Sequence, residues 1–357
     1  MYLVKDISGA IGLMAVALVL LGTWPVVLAV LERRGRLPQH TFLDFSITNF
    51  LAAVLIALTF GQIGPDTPEA PNFLTQLTQV TNNWPSVLFA MAGGVTLSLG
   101  TLATQYGWAF VGLSVTEVMA SSLKVVIAIL GSLVHSSNAA DNQEKLAKSL
   151  APKDLEEAKL DTPEATPKPE KVEAGTAEFL VLGSHTLLGL AIVVFAGIFY
   201  ALFAPAFNLA TNDQWHVLPP NVPHLVVYTA YFYFSLACLG VSVGLNVWFL
   251  YRPMVGVPQS SVSAYLADGE GRWIALLAGM VCGLGNAFTF MAGQAAGYAA
   301  ADSVQALPLV STFWGVVLFG EYRRSSRRTY TLLVSMLLMF AVAMVVLMAS
   351  SNHRKPL

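Results

Sequence analysis

A succession of nine apolar runs limits this chain more than any other feature; they lie at about 9–31, 42–60, 86–104, 108–134, 180–208, 226–250, 273–295, 300–320 and 330–349. Roughly 20 apolar residues wound as a helix cross a hydrocarbon layer of about 30 Å. In that layer no water meets the backbone N–H and C=O groups, so each run is read as a helix that pairs them internally. One such run would suit the core of a soluble domain, but nine do not. The composition agrees: 55% of residues are hydrophobic and 11% charged, where a soluble domain carries about a quarter charged. The expected fold class is all-α, a polytopic membrane protein that moves a small solute across the lipid bilayer. A net charge of -2 gives no reason to expect nucleic acid as a partner. Cys238 and Cys282 fall inside apolar runs and read as packing residues rather than a disulfide. The first run is long for a signal peptide and ends on Glu32-Arg-Arg-Gly-Arg36, so it reads as a retained helix.

The stretch from Ser136 to Glu178 is dense in Lys, Glu, Ala and Pro and cannot bury a core, so it reads as a solvated, disordered linker. The expected organisation is a first transmembrane repeat at 1–134 with four visible helices, a hydrophilic cytosolic linker at 135–179, a second repeat of five helices at 180–349, and a tail at 350–357.

Loops rich in Lys and Arg stay on the cytoplasmic side. Arg33, Arg34 and Arg36 place the 32–41 loop inside; the 61–85 loop, with Asp66 and Glu69 and no basic residue, suits the outside. A turn at Gln105-Tyr-Gly-Trp108 then returns the chain inside, and the fourth run exits outside. Reading back from the other end, Arg323, Arg324, Arg327 and Arg328 hold the 321–329 loop inside, and Arg252 and Arg272 bracket another inner loop. That puts the N-terminus, the C-terminus and the 209–225 loop outside and the linker in the cytosol. The two readings conflict at the linker, which leaves one crossing missing between Thr104 and Phe179.

Ser98-Leu-Gly-Thr-Leu-Ala-Thr104 matches Gly283-Leu-Gly-Asn-Ala-Phe-Thr289, and Ala92-Gly93 matches Ala278-Gly279 nearby. Two related halves, each with an odd number of helices, are inverted in the membrane, and such folds hold their solute near the midplane between repeats.

Longer stretches carry a family resemblance. Gly293 to Arg328 (GQAAGYAAADSVQALPLVSTFWGVVLFGEYRRSSRR) resembles the plant ureide permeases of the drug/metabolite transporter superfamily. So do LGTWP (Leu21 to Pro25), LERRGRLPQHTFLD (Leu31 to Asp44), FGQIG (Phe60 to Gly64), LATQYGWAFVGLSVTEV (Leu102 to Val118), HSSNAADN (His135 to Asn142) and FAPAFNLATNDQW (Phe203 to Trp215). The resemblance implies ten helices in two inverted five-helix halves around a cytosolic loop. It also implies proton-coupled import of ureides such as allantoin and of oxo-nitrogen heterocycles such as uracil and xanthine. Protons are then the coupling ion, and no other cofactor is expected. The chain departs from the family where Leu123 to His135 joins the fourth helix directly to the HSSNAADN stretch, with no fifth helix between. A P-loop-like string is described for the family's central loop, but G-x-x-x-x-G-K-[ST] is absent from Ser136 to Glu178, so nothing points to an ATP site there.

Glu117 lies about nine residues into the fourth run, about 13 Å along a helix and near mid-membrane. A charge there costs about 2.5–3.5 kcal/mol and usually faces a cavity or a partner, which makes Glu117 the candidate proton carrier; the alternative is a structural carboxyl between helices. Lys124, two turns on, is too far for a direct ion pair and has no assigned role. Flat solutes rich in C=O and N–H need amides for paired hydrogen bonds and an aromatic face. Asn286, Gln294, Gln105 and Gln305 supply amides, and Trp24 and Trp314 aromatic faces. Asp302 opens the eighth run as a solute ligand or a helix cap, and Pro308, one turn after Gln305, frees a backbone carbonyl. Trp84, Trp108, Trp215 and Trp273 read as interfacial anchors. No metal-ligand spacing and no nucleophile constellation suggests an enzyme. A passive facilitator of the same solutes and a transport-inactive shortened variant are the competing readings; oligomeric state is not readable.

Overall fold

The computed structural model describes residues 1–68, 70–111, 113, 115–123, 184–213, 217–219, 222–254, 257–296, 307–320 and 327–351. Ten helices are labelled here: α1 (Ile7–Arg33), α2 (Pro38–Leu58), α3 (Phe73–Thr78), α4 (Val80–Val111), α5 (Ser184–Thr211), α6 (Val227–Tyr251), α7 (Val262–Ala267), α8 (Arg272–Ala296), α9 (Leu307–Phe319) and α10 (Arg327–Ser351). Residues 115–123 are also helical. Among the described residues α1, α2, α4, α5, α6 and α8 are long and apolar enough to span a membrane. The chain is a multi-pass helical membrane protein.

Local chemistry sets the helix ends that matter most. Asp6 caps α1 by accepting from Gly9 N–H at 2.7 Å. At the other end Gly35, with φ +87°, lets the chain reverse so that Arg36 N–H reaches Leu31 C=O at 3.2 Å. This is a Schellman closure, and it turns Arg36 back beneath the helix end. Pro38 then opens α2, where its missing N–H costs nothing.

Close contacts give the directions of the main packed pairs. Helices α4 and α5 are antiparallel, since Gly93 lies against Phe203, Gly100 against Tyr200 and Gly107 against Val193. Helices α1 and α8 are antiparallel, with Gly285 against Leu21 and Gly271 against Leu31. Helices α2 and α8 are parallel (Gly279 on Phe45, Gly283 on Ala52), as are α4 and α6 (Gly94 on Phe234, Ser98 on Ser242). Helices α2 and α6 are antiparallel, with Gln39 bonded to the Phe249 carbonyl and Phe50 beside Phe232.

These pairings repeat when the halves are exchanged. Mapping α1 onto α5, α2 onto α6 and α4 onto α8 turns α1–α8 into α5–α4 and α2–α8 into α6–α4, while α2–α6 maps onto itself. Corresponding helices run in opposite directions, so the halves are inverted. The exchange sets Pro25 of α1 opposite Pro205 of α5, each removing a hydrogen bond within its helix. It also pairs Gly279 with Gly94, one residue beyond the Gly93 of the sequence match. At both positions a Cβ would fall on a neighbouring backbone oxygen, 2.0 Å from that of Phe234 and 2.1 Å from that of Phe45. Only a missing side chain lets these parallel helices approach so closely.

One end of the bundle gathers Arg33, Arg34, Arg36, Arg252, Arg272, Arg327 and Arg328; we call it the basic face. The N-terminus lies at the far face, where the Tyr228 hydroxyl donates to Tyr2 C=O at 2.6 Å and Gln76 bridges the 59–79 and 212–226 loops through His224 C=O and Val226 N–H.

The turn expected at Gln105–Trp108 does not form, and α4 runs on to Val111. No proline interrupts QYGW, Gly107 is packed against Val193 and Thr116, and the side chains of Gln105 and Trp108 are buried and bonded, so nothing there favours leaving the helix.

Candidate functional site

In the basic half of the bundle, where α1, α2, α4 and the 115–123 helix meet, polar side chains gather around two tryptophans. Trp24 is buried one residue before Pro25 and packs on Phe45 of α2 (centroids 5.1 Å apart) and on Trp108 of α4 (5.9 Å). Trp108 Nε1–H donates to Glu117 Oε1 at 3.1 Å. One turn earlier Gln105 Nε2–H donates to Glu32 Oε1 at 2.9 Å and to Pro38 C=O at 3.0 Å. Glu117 and Gln105 are 5% and 1% exposed, so both are sealed from solvent in this conformation. Tyr200 of α5 lies within electrostatic reach of Glu117, its hydroxyl 3.1 Å from Thr104 Oγ1.

Of the residues singled out in the sequence, Trp24, Gln105 and Glu117 come together here. Asn286 sits further along α8, its amide donating to Cys282 Sγ at 3.6 Å within the same helix. Gln294 is two residues from the far end of α8, with a buried, unbonded Oε1, so it is separated from Gln105 by most of the membrane thickness. Trp314 ties α9 to α1 through Thr23 Oγ1 at 3.2 Å. Gln305, Asp302 and Lys124 lie outside the described residues. Trp84 and Trp273 are exposed, as interfacial anchors would be; Trp215 is outside the described residues. Trp108 is no anchor: it is 6% exposed and holds Glu117. The helix it was expected to end continues past it, which turns its indole into the core.

A second cluster closes the basic face. Arg36 Nη2 meets Asp44 Oδ2 at 2.6 Å, both residues buried. Asp44 also accepts from the Tyr265 hydroxyl at 2.7 Å and lies 3.4 Å from Arg272 Nε. His40 bridges Asp268 Oδ2 (Nδ1, 2.7 Å) and Ser260 Oγ (Nε2, 2.8 Å), and Arg36 Nε reaches Asp268 at 3.4 Å. Burial would raise the Asp268 carboxyl, but the His40 hydrogen bond and the Arg36 charge outweigh it and hold the group below its ordinary value. Burial and the Asp44 carboxylate push Tyr265 up to about 12, so its phenol stays a donor at physiological pH. The network joins the α1–α2 turn of one half to the α6–α8 connection of the other. Sequence reasoning took these arginines only as topology markers. The available signal was Arg36, His40 and Asp44 at four-residue spacing, one polar face entering an apolar helix.

The far half is closed by aromatic rings instead. Phe207 and Phe290 stack at 3.8 Å and 8°, with Phe203, Tyr231 and Phe234 around them. Under the repeat Phe290 takes the place of Gln105, which makes one half of the interior polar and the other aromatic. A cavity of about 410 Å³ between α4, α5 and α6 is lined by Leu99, Tyr106, Phe195 and Phe249 among others, with almost no polar wall; a polar heterocycle there would lose its hydrogen bonds to water unreplaced.

The family model described as ureide permease matches residues 41–129 and 126–350. Ureide permease 2 of Arabidopsis thaliana is 56% identical over 410 residues, covering 99% of this chain and all of that protein; ureide permease 1 of the same plant is 55% identical over 395 residues, with 99% and 100% covered. A probable ureide permease A3 of Vigna unguiculata is 50% identical over 378 residues, covering 92% of this chain and 100% of its own. No solved structure matches. All three alignments are longer than the 357-residue chain, so these relatives contain residues that it lacks, and the two family matches meet at 126–129, inside the direct join read in the sequence. The relatives are permeases rather than enzymes, and a chain that matches them along nearly its whole length, with two inverted helical halves, belongs to the ureide permease family.

Proposed function

We propose that this chain is a proton-coupled permease for ureides such as allantoin and for related oxo-nitrogen heterocycles such as uracil and xanthine, working by alternating access between its two inverted halves. The relatives' names support the solute class. The observation that carries the proton is Glu117, a carboxyl buried at the centre of the polar half and bonded to a neutral indole donor rather than to a cation. Trp24 and Trp108 offer flat faces beside it, and Gln105 a carbonyl oxygen with no partner among the described residues. With the basic face in the cytosol, as the arginines favour, the Arg36–Asp44–Asp268 network is the inner gate and the Phe207–Phe290 stack the outer one. The plasma membrane is the assigned site of action.

Uptake of radiolabelled allantoin and uracil into a transport-deficient host, at several pH values, tests this. The parent should accumulate solute most strongly in acidic medium, whereas Glu117→Gln should exchange solute without accumulating it. Equilibration without accumulation by the parent would identify a passive facilitator. A transport-inactive shortened variant is favoured by one observation, the residues that relatives carry and this chain lacks; it would show neither uptake nor exchange.

A further inference from the structure

Helix α4 carries two N–H donors three residues apart, and each holds a different carboxyl. Gln105 grips Glu32 of α1, and Trp108 grips Glu117 of the 115–123 helix. Residues at i and i+3 lie on one face of a helix, about 5–6 Å apart at Cβ, so a single turn of α4 links both acids. The nature of the donors matters. A guanidinium beside a carboxyl favours its charged form. A neutral amide or indole N–H bonds a carboxyl oxygen in either protonation state, so a proton can be taken up without breaking the tether.

The surroundings of Glu32 fit a group that changes charge. From α4 it faces Gln105 and Tyr106, whose hydroxyl has no hydrogen bond among the described residues. From α2 the Pro38 carbonyl shares the Gln105 donor. Along its own chain Arg33 lies over the Phe319 ring of α9 at 3.9 Å, and Arg36 is committed to Asp44 and Asp268. From α8, Arg272 is turned to Asp44. Among the described residues Glu32 makes no ion pair.

We propose that Glu32 is a second proton-carrying carboxyl, linked to Glu117 through α4, and that the Gln105–Trp108 turn of α4 ties proton movement to helix movement. The inference rests on the proton-coupled reading above. Each step is the making and breaking of an O–H bond: Glu117 gains a proton, passes it through water to Glu32 as α4 shifts, and Glu32 releases it to the basic-face water.

The chain reconstituted in liposomes supplies the test, with allantoin as probe and a pH gradient, which supports about tenfold accumulation per unit for one coupled proton. Glu32→Gln should keep allantoin exchange and lose gradient-driven accumulation, and Glu32→Asp should recover part of it. Accumulation by Glu32→Gln equal to the parent's overturns the proposal. So does loss of exchange in a folded Glu32→Gln, which would assign Glu32 to solute binding or structure. Infrared difference spectra between about pH 5 and about pH 8 separate this from failure of the coupling reading. The parent should show protonated-carboxyl bands of which one is lost in Glu32→Gln and another in Glu117→Gln. If the parent does not accumulate allantoin, the coupling reading fails while a Glu32-dependent band still upholds Glu32 as a proton-binding group; absence of that band overturns the proposal whatever transport shows.

Discussion

Asp44→Asn should unlock the basic face. In the closed state Asp44, 2% exposed, is the nearest counter-charge among the described residues to the buried Arg36, whose other carboxylate contact, Asp268, is longer at 3.4 Å and whose Nη1 has no partner among those residues. Removing one member of such a pair leaves an uncompensated buried charge at a cost of about 3–5 kcal/mol. Opening the face lets water reach Arg36 and relieves that cost, so it falls on the closed state alone. At about 1.4 kcal/mol per factor of ten, the closed-to-open ratio should drop by about 10²–10³ or more. A reporter cysteine at Gln105, behind the network and 1% exposed in the closed state, reads this on a background lacking Cys238 and Cys282. A thiol reagent applied from the basic face should label it much faster in Asp44→Asn than in the parent. Adding Arg36→Met removes the stranded charge; replacing a buried pair with apolar groups is often neutral or stabilising, so labelling should slow again. Equal labelling of the parent and Asp44→Asn, or a double variant as open as the single, would refute the gate.

Gly94→Ala and Gly279→Ala should each destabilise the protein by about 1–3 kcal/mol, because the new methyl meets a backbone oxygen that cannot retreat without parting two helices; Gly12→Ala and Gly240→Ala, which meet open space, are the neutral controls in the same thermal-melting assay. Single cysteines in the 136–178 linker and in the 209–225 loop, probed in intact cells with an impermeant thiol reagent, should be protected in the first and labelled in the second; the reverse pattern would overturn the assignment of the basic face to the cytosol.

Local chemistry carried much of this architecture. Apolar run length located α1, α2, α4, α5, α6 and α8, and the SLGTLAT/GLGNAFT match lies on α4 and α8, which exchange under the inverted repeat. Glu117 stood out because a carboxyl is expensive at mid-membrane. Yet α4 runs on to Val111 and the helix carrying Glu117 starts at the basic face just before that residue, so Glu117 lies nearer that face than the run predicts. What failed was the reading of polar residues near run ends. Gln105, Tyr106 and Trp108 resembled a loop because hydropathy averages a polar cluster as if it faced water; here α1, α2, α6 and the 115–123 helix cover it. Glu32 was read only as part of the basic end of the first run because its partner, Gln105, lies 73 residues away. Spacing within one helix shows which side chains share a face, not what another helix brings to meet it.

The directions of the helices require a crossing between Leu123 and Ser184, outside the described residues. Residues 115–123 lie parallel to α5, with Gly197 against Ala120 and Leu123, and antiparallel to α4. Both therefore run from the basic face toward the far face, so the chain leaves one heading outward and enters the other at the basic side. A complete inverted repeat needs one more crossing in the first half, the counterpart of α10 in the second. The relatives' alignments outrun the chain, and the two family matches meet at 126–129, shortly after the 115–123 helix. Glu117 lies on the last described helix before that point, with its partner Trp108 on α4 in place whatever element follows its own helix. Binding groups drawn from α1, α2 and α4 do not depend on that element. The proposed movement of Glu117 between faces does, because that element follows its helix directly in the chain. Loss of a crossing at this place should thus weaken proton coupling before it weakens recognition of the solute.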